Sequence, residues 1–236
     1  MSQSGTMNQE ESKVAVGAAA SQPRKAGHEI ATSDDERKGL IDLDSSVAAY
    51  AKRMREEQDK LRAPGELPYV DALDHDEEPA HIRARRKLIQ RQPGFWKGLE
   101  RIELGFDVVE MMRGIGFGLH VVTKGPRGTS NAWSEKLEWS TEQIPDAIVT
   151  VTTDKSAVYG RAFLEDWPPY FLSWLMVRKN GLVICVAQPW NEGYAVGGRL
   201  HHPNIIRYDG SNRAEVERML RRAYERKGGE SLFGPT

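Results

Sequence analysis

The side chains of this chain most able to do chemistry are cations. Residues 80–98, "AHIRARRKLIQRQPGFWKG", hold six of them, among them Arg83, Arg86, Lys87, Arg91 and Lys97. On a helix Arg83, Lys87 and Arg91 fall at i, i+4 and i+8, one stripe opposite Ile82 and Ile89. Like charges four apart repel by about 0.2–0.5 kcal/mol per pair. A stripe without interleaved acids therefore suits an anionic partner: a phosphate polymer, an anionic membrane surface, or the chain's own acidic segment. Arg218, Arg222 and Arg226 repeat the spacing near the C-terminus, where Glu217 and Glu225 interleave and cations also suit the end of a helix dipole. These eight residues are the candidate nucleic-acid or anion contacts.

Other stretches offer less. "FLEDWPPYF" (163–171) sets Glu165 and Asp166 beside a rigid Pro-Pro pair and aromatic rings, but nothing in the sequence supplies the second half of an acid–base mechanism. With "QPWNEGYAVGG" (188–198) it forms two aromatic loops, making Trp167, Tyr170, Trp190 and Tyr194 candidate contacts for a protein or ligand partner. "RGIGFGLH" (113–120) has GxGxG spacing, not the GxGxxG of dinucleotide folds, and reads as a strand with one smooth face. The six histidines form no HxH or HExxH pattern, and Cys185, the only cysteine, lies in an apolar run where a thiol behaves as a small hydrophobe. No catalytic residue, no metal site and no cofactor are expected on this basis. No stretch matches a family-specific motif.

The elements that must position these residues divide the chain in two. Of nineteen aromatic residues only Tyr50 and Tyr69 precede residue 80. A segment so poor in large apolar groups is expected not to offset the entropy of ordering. Residues 1–80 carry 10 basic and 17 acidic side chains and the remainder 23 and 17, so the chain is acidic in front and basic behind. The expected division is a largely disordered acidic arm over 1–78 with a helix at 46–62, a globular domain over 79–228, and a flexible tail over 229–236. A single cysteine, no signal-like N-terminus and apolar runs far shorter than about 20 residues predict a protein of a reducing compartment, cytoplasmic or nuclear, with no transmembrane segment.

Within the domain, a helix is expected from Pro79 to about Gln92. "LERIELGFDVVEMM" (99–112) fits helix and strand periods almost equally and is assigned to a strand. Further strands are expected at 115–123, 133–139 and 147–153. Two apolar runs flank Asn180-Gly181, which predicts a central hairpin, 170–179 paired with 182–188 through a type I′ turn and covered on both faces. A helix with Val216, Met219, Leu220, Ala223 and Tyr224 on one stripe closes the domain. The expected fold class is α+β: a mostly antiparallel sheet of five to six strands with helices at both ends. The expected function is a non-catalytic interaction protein with an accessory, regulatory or structural/assembly role, a viral or accessory protein among the possibilities, binding a protein partner or an anionic surface. The alternatives are a nucleic-acid-associated protein and a small enzyme of unknown chemistry.

Overall fold

The computed structural model describes residues 37–70, 78–194, 202–227 and 230–233. Its centre is a six-stranded sheet in the order β3-β2-β1-β4-β5-β6, with every neighbouring pair parallel. The strands are β1 (Lys38–Ile41), β2 (Gly118–Lys124), β3 (Ile148–Thr152), β4 (Ala162–Glu165), β5 (Leu182–Val186) and β6 (Ile205–Tyr208). Helix α1 (Tyr50–Lys60) and α2 (Ala80–Gln90) follow β1. Then α3 (Glu103–Ile115), α4 (Ser130–Gln143), α5 (Pro168–Val177) and α6 (Arg213–Glu225) alternate with the later strands. This is a doubly wound α/β architecture, and the expected antiparallel α+β sheet is incorrect.

Alternation along the strands sorts the core onto two faces. Leu40, Phe163, Val183 and Cys185 meet Phe171, Trp174 and Leu175 of α5. Ile41, Leu164, Ile184 and Val186 join the cluster built by α3, α4 and α6 through Phe106, Val109, Met112, Trp139, Val216 and Leu220. A parallel sheet needs this double cover, because its crossovers put helices on both faces. The all-apolar β5 was correctly expected to be covered on both sides.

The expected central hairpin is absent because its first half is α5. Pro168 and Pro169 open that helix, where a missing N–H costs nothing and a fixed φ helps. Parallel neighbours cannot be joined by a two-residue turn. Asn180-Gly181 is instead the connection from α5 into β5, and glycine is needed there because a Cβ on Gly181 would lie 2.3 Å from the Trp174 ring. Two further strand assignments fail. Residues 103–115 form α3, whose helical stripe buries Phe106, Val109 and Met112 and which ends on Gly116 at φ 105°. Residues 133–139 lie within α4, which buries Ala132, Glu135, Lys136 and Trp139 while exposing much of Trp133 and Leu137. Its polarity is inverted, so apolar period alone misassigns it.

The acidic arm is also corrected. Its residues 38–41 are β1, at the middle of the sheet, and residues 50–60 are α1. Counting aromatics missed the aliphatic contribution: Leu40, Ile41, Leu43, Val47 and Ala48 are fully buried. The expected disorder of residues 1–36 lies outside the described residues. In the expected tail Leu232 is buried in the core. Among the described residues no helix is long and apolar enough to cross a membrane.

Candidate active site

In an open α/β sheet, ligands bind in the crevice beyond the carboxyl ends of the strands, where strand order reverses. Here that point lies between β1 and β4: the chain moves from β1 outward to β2 and β3, then returns past β1 to β4. Both strands end in acids. Asp42 and Asp44 follow β1, Glu165 ends β4 and Asp166 comes next. One carboxylate oxygen each from Asp42, Glu165 and Asp166 lie within 4.8 Å of one another, and all three residues are buried.

Two buried lysines answer them. Lys155, in the 3-10 turn Lys155–Ala157 ahead of β4, donates to Asp42 Oδ1 at 2.5 Å and to Glu165 Oε2 at 2.7 Å. Lys136, from α4, pairs with Asp44 and also donates to the Lys124 carbonyl (2.8 Å) and Thr123 Oγ1 (3.3 Å) at the end of β2. The Ser46 hydroxyl lies 3.0 Å from Asp42 Oδ2 and 2.9 Å from Asp166 Oδ1, so it can donate to one of them at a time. Glu165 Oε1 accepts the backbone N–H groups of Asp166 and Trp167, each at 3.2 Å. The Trp190 indole donates to Asp166 Oδ2 at 3.1 Å, and Asn191 Nδ2 donates to the Asp166 carbonyl at 3.0 Å.

Four carboxyl groups thus face two ammonium groups. Burial pushes Glu165 and Asp166 well above the usual carboxylate range, and the Asp42 charge adds to the shift. Burial also raises Asp44, against the pull of Lys136. For Lys155 burial works against the charge, but Asp42 and Glu165 outweigh it and hold the ammonium above its ordinary value. The group is short of positive charge, and hard oxygen donors in this number suit a hard cation such as Mg²⁺. Asp44 Oδ1 is buried without a hydrogen-bond partner, a free site for a proton.

The loop carrying these groups is tightly constrained. Ser45 takes φ 63°, the one non-glycine residue with positive φ among those described, and its Oγ accepts the Ala51 N–H at 3.2 Å. Gln188 Nε2 holds the Ser45 carbonyl at 2.7 Å. Helix α3 packs so closely that a Cβ on Gly105 would lie 1.9 Å from the Ser46 oxygen. Above the acids opens a cavity of about 290 Å³, lined by Tyr50, Trp96, Trp167, Tyr170 and Trp190 together with Asp42, Asp44, Lys136, Lys155, Glu165 and Asp166.

The sequence-derived candidates divide around this site. Trp167, Tyr170 and Trp190 all line the cavity, so the expected partner surface is the wall of a pocket. Tyr194 ends the 3-10 segment Pro189–Tyr194, and residues 195–198 of the expected aromatic loop lie outside the described residues. None of the eight cationic candidates lines the cavity. The α2 surface meets acids of the preceding segment: Arg86 pairs with Glu78 and Arg85 with Glu66, each at 2.9 Å. Arg83 is half-buried, Lys87 and Arg91 are exposed, and Lys97 pairs with Glu138 at 2.8 Å. On α6 Arg218 and Arg222 are exposed, Arg222 stacking over Phe233, while Arg226 is buried. Asp42, Asp44, Lys136 and Lys155 were not singled out from the sequence. The pattern "LIDLDSS", an apolar pair followed by two aspartates one residue apart, was the signal for a strand ending in a polar site. Searching for a metal site only among His and Cys also passed over three carboxylates.

No family model and no curated protein matches this sequence. Among solved structures, the chain is similar to a HAD family hydrolase from Deinococcus radiodurans R1, described with bound phosphate and sodium. The two align at TM-score 0.51 and 14% identity, over 80% of this chain and 97% of that one. The likeness shows a shared fold, the wound parallel α/β sheet described above. This finding, with a buried ionic cluster at the strand-order reversal, overturns the expected non-catalytic interaction protein and its protein-binding, RNA-binding and viral-accessory variants. Cys185 is buried in β5, and burial pushes its thiol pKa up.

Proposed function

We propose that this chain is a phosphomonoester hydrolase that transfers the phosphoryl group to Asp42 before releasing it to water. The observation that carries this reading is the meeting of Asp42, Glu165 and Asp166 within 4.8 Å at the floor of an aromatic cavity. The phosphate described in the similarly folded hydrolase supports it. Phosphoryl transfer asks for positioning and for charge stabilisation, and a carboxylate is an established type of phosphoryl acceptor.

Asp42 is the nucleophile. Lys155 and Ser46 fix its carboxylate, and the Lys155 charge also favours a bound phosphoryl group. As an Asp42 oxygen bonds to phosphorus, the ester P–O bond breaks and the leaving oxygen takes a proton from Asp44. Its raised pKa makes that proton available, and the unpartnered Oδ1 is where it resides. Asp44 then accepts a proton from the water that attacks the phosphorus, freeing Asp42 and inorganic phosphate. Asp42, Glu165 and Asp166 are the residues that would hold a divalent cation, which when bound supplies positive charge against the phosphoryl oxygens. Five aromatic rings around the cavity favour a flat or apolar leaving group.

The test is hydrolysis of p-nitrophenyl phosphate and of glycerol phosphate with and without Mg²⁺. The expected result is Mg²⁺-dependent turnover with higher kcat/KM for the aryl ester, falling roughly 10³-fold or more in Asp42→Asn. Equal turnover by wild type and Asp42→Asn would refute the proposal.

A further inference from the structure

We infer that the opposite rim of the sheet, at the amino ends of β4 and β5, carries a second site that binds a small, multiply charged oxyanion of the phosphate class. Gly160 and Gly181 precede these two strands, whereas the Asp42 site lies at their carboxyl ends. A pocket of about 260 Å³ lies there, lined by residues that include Tyr159, Arg178, Lys179, Asn180 and Arg226. One water takes about 30 Å³ of liquid, so the space admits a polyatomic anion. Three of its lining residues are cationic and none is acidic.

Arg226 is the deciding residue. It is 8% exposed, and its Nε and Nη1 have no hydrogen-bond partner. The Nε of Arg178 is likewise buried and unsatisfied. A buried guanidinium with orphaned donors is costly unless something anionic completes it. Its place is built in, because Arg161 Nη1 donates to the carbonyls of Tyr224 (2.8 Å) and Arg226 (2.6 Å), pinning the end of α6 beside the pocket. Arg178, also lining the pocket, has its guanidinium over the Tyr159 ring, 5.5 Å from the ring centroid. Planar guanidinium groups match oxyanions of this kind.

Calorimetric titration of the full chain with sodium pyrophosphate tests this, in chelator so that no divalent cation is present at the acidic site. One binding event is expected, weakened at least tenfold in Arg178→Glu and in Lys179→Glu, lost in Arg226→Gln and unchanged in Asp42→Asn. The first two substitutions are at half-buried and exposed positions, so they report on binding even if Arg226→Gln does not fold. Absence of binding, equal affinity in Arg178→Glu and wild type, or loss of binding in Asp42→Asn alone would overturn the assignment.

Discussion

Asp166 sits under opposing influences: burial and the Asp42 charge push its proton affinity up, while the Ser46 hydroxyl, the Lys155 charge and the Trp190 indole favour its ionised form. A carboxyl whose pKa is higher folded than unfolded binds more protons in the folded state, so stability falls as pH rises from the unfolded toward the folded value. Metal-free protein is therefore expected to lose stability as pH rises above the ordinary aspartate range, and Asp166→Asn to lose less, as read from thermal midpoints in chelator. An identical slope for the two proteins would contradict the assigned charge excess. Trp190→Phe removes the indole donor and keeps an aromatic wall. It is expected to weaken Mg²⁺ binding roughly tenfold, by metal titration, as loss of an outer hydrogen bond to a ligating carboxylate typically does. These groups were partly legible: Glu165 and Asp166 stood out beside their aromatics, but the lysines that answer them come from a turn and a helix distant in the chain. Lys136 is 92 residues from Asp44, a pairing that only the fold creates.

Two glycines separate what the elements do for stability from what they do for the site. Ala at Gly181 meets the Trp174 ring, in the layer that α5 lays on one face of the sheet. Ala at Gly105 meets the backbone of the loop that carries Asp42 and Asp44. Overpacking of this kind costs about 1–3 kcal/mol, so urea denaturation is expected to show both variants destabilised, with kcat falling further in Gly105→Ala at matched folded fraction. Equal loss of activity would mean that α3 does not set the loop. Element type was readable where one face is dry and the other wet, as in α2 and α6. It failed for α5, which is apolar on nearly every face and so shows no period, and for α4, which buries Glu135 and Lys136. Those charges are tolerated because Glu135 accepts the backbone N–H groups of Gly94 and Trp96, and Lys136 meets Asp44.

At the scale of the whole molecule, strand order decides where chemistry sits. Because β1 is central and the winding reverses beside it, four acids from two strands meet at one crevice without any local sequence motif spanning them. Parallel order could not be read from the apolar runs, since a buried strand and a buried helix of eight residues look alike. A cation that binds only the folded site stabilises the protein by about 2.7 kcal/mol at a hundred times its dissociation constant. Mg²⁺ is expected to raise the melting temperature of wild type and to leave Glu165→Ala with Asp166→Ala little changed. The most direct measurement is mass analysis of the Asp42 peptide after rapid acid quench during turnover of p-nitrophenyl phosphate. A phosphoryl group is expected on Asp42, absent from Asp42→Asn and from protein quenched without substrate; continued turnover with an unmodified Asp42 peptide at every quench time would contradict phosphoryl transfer through this carboxylate.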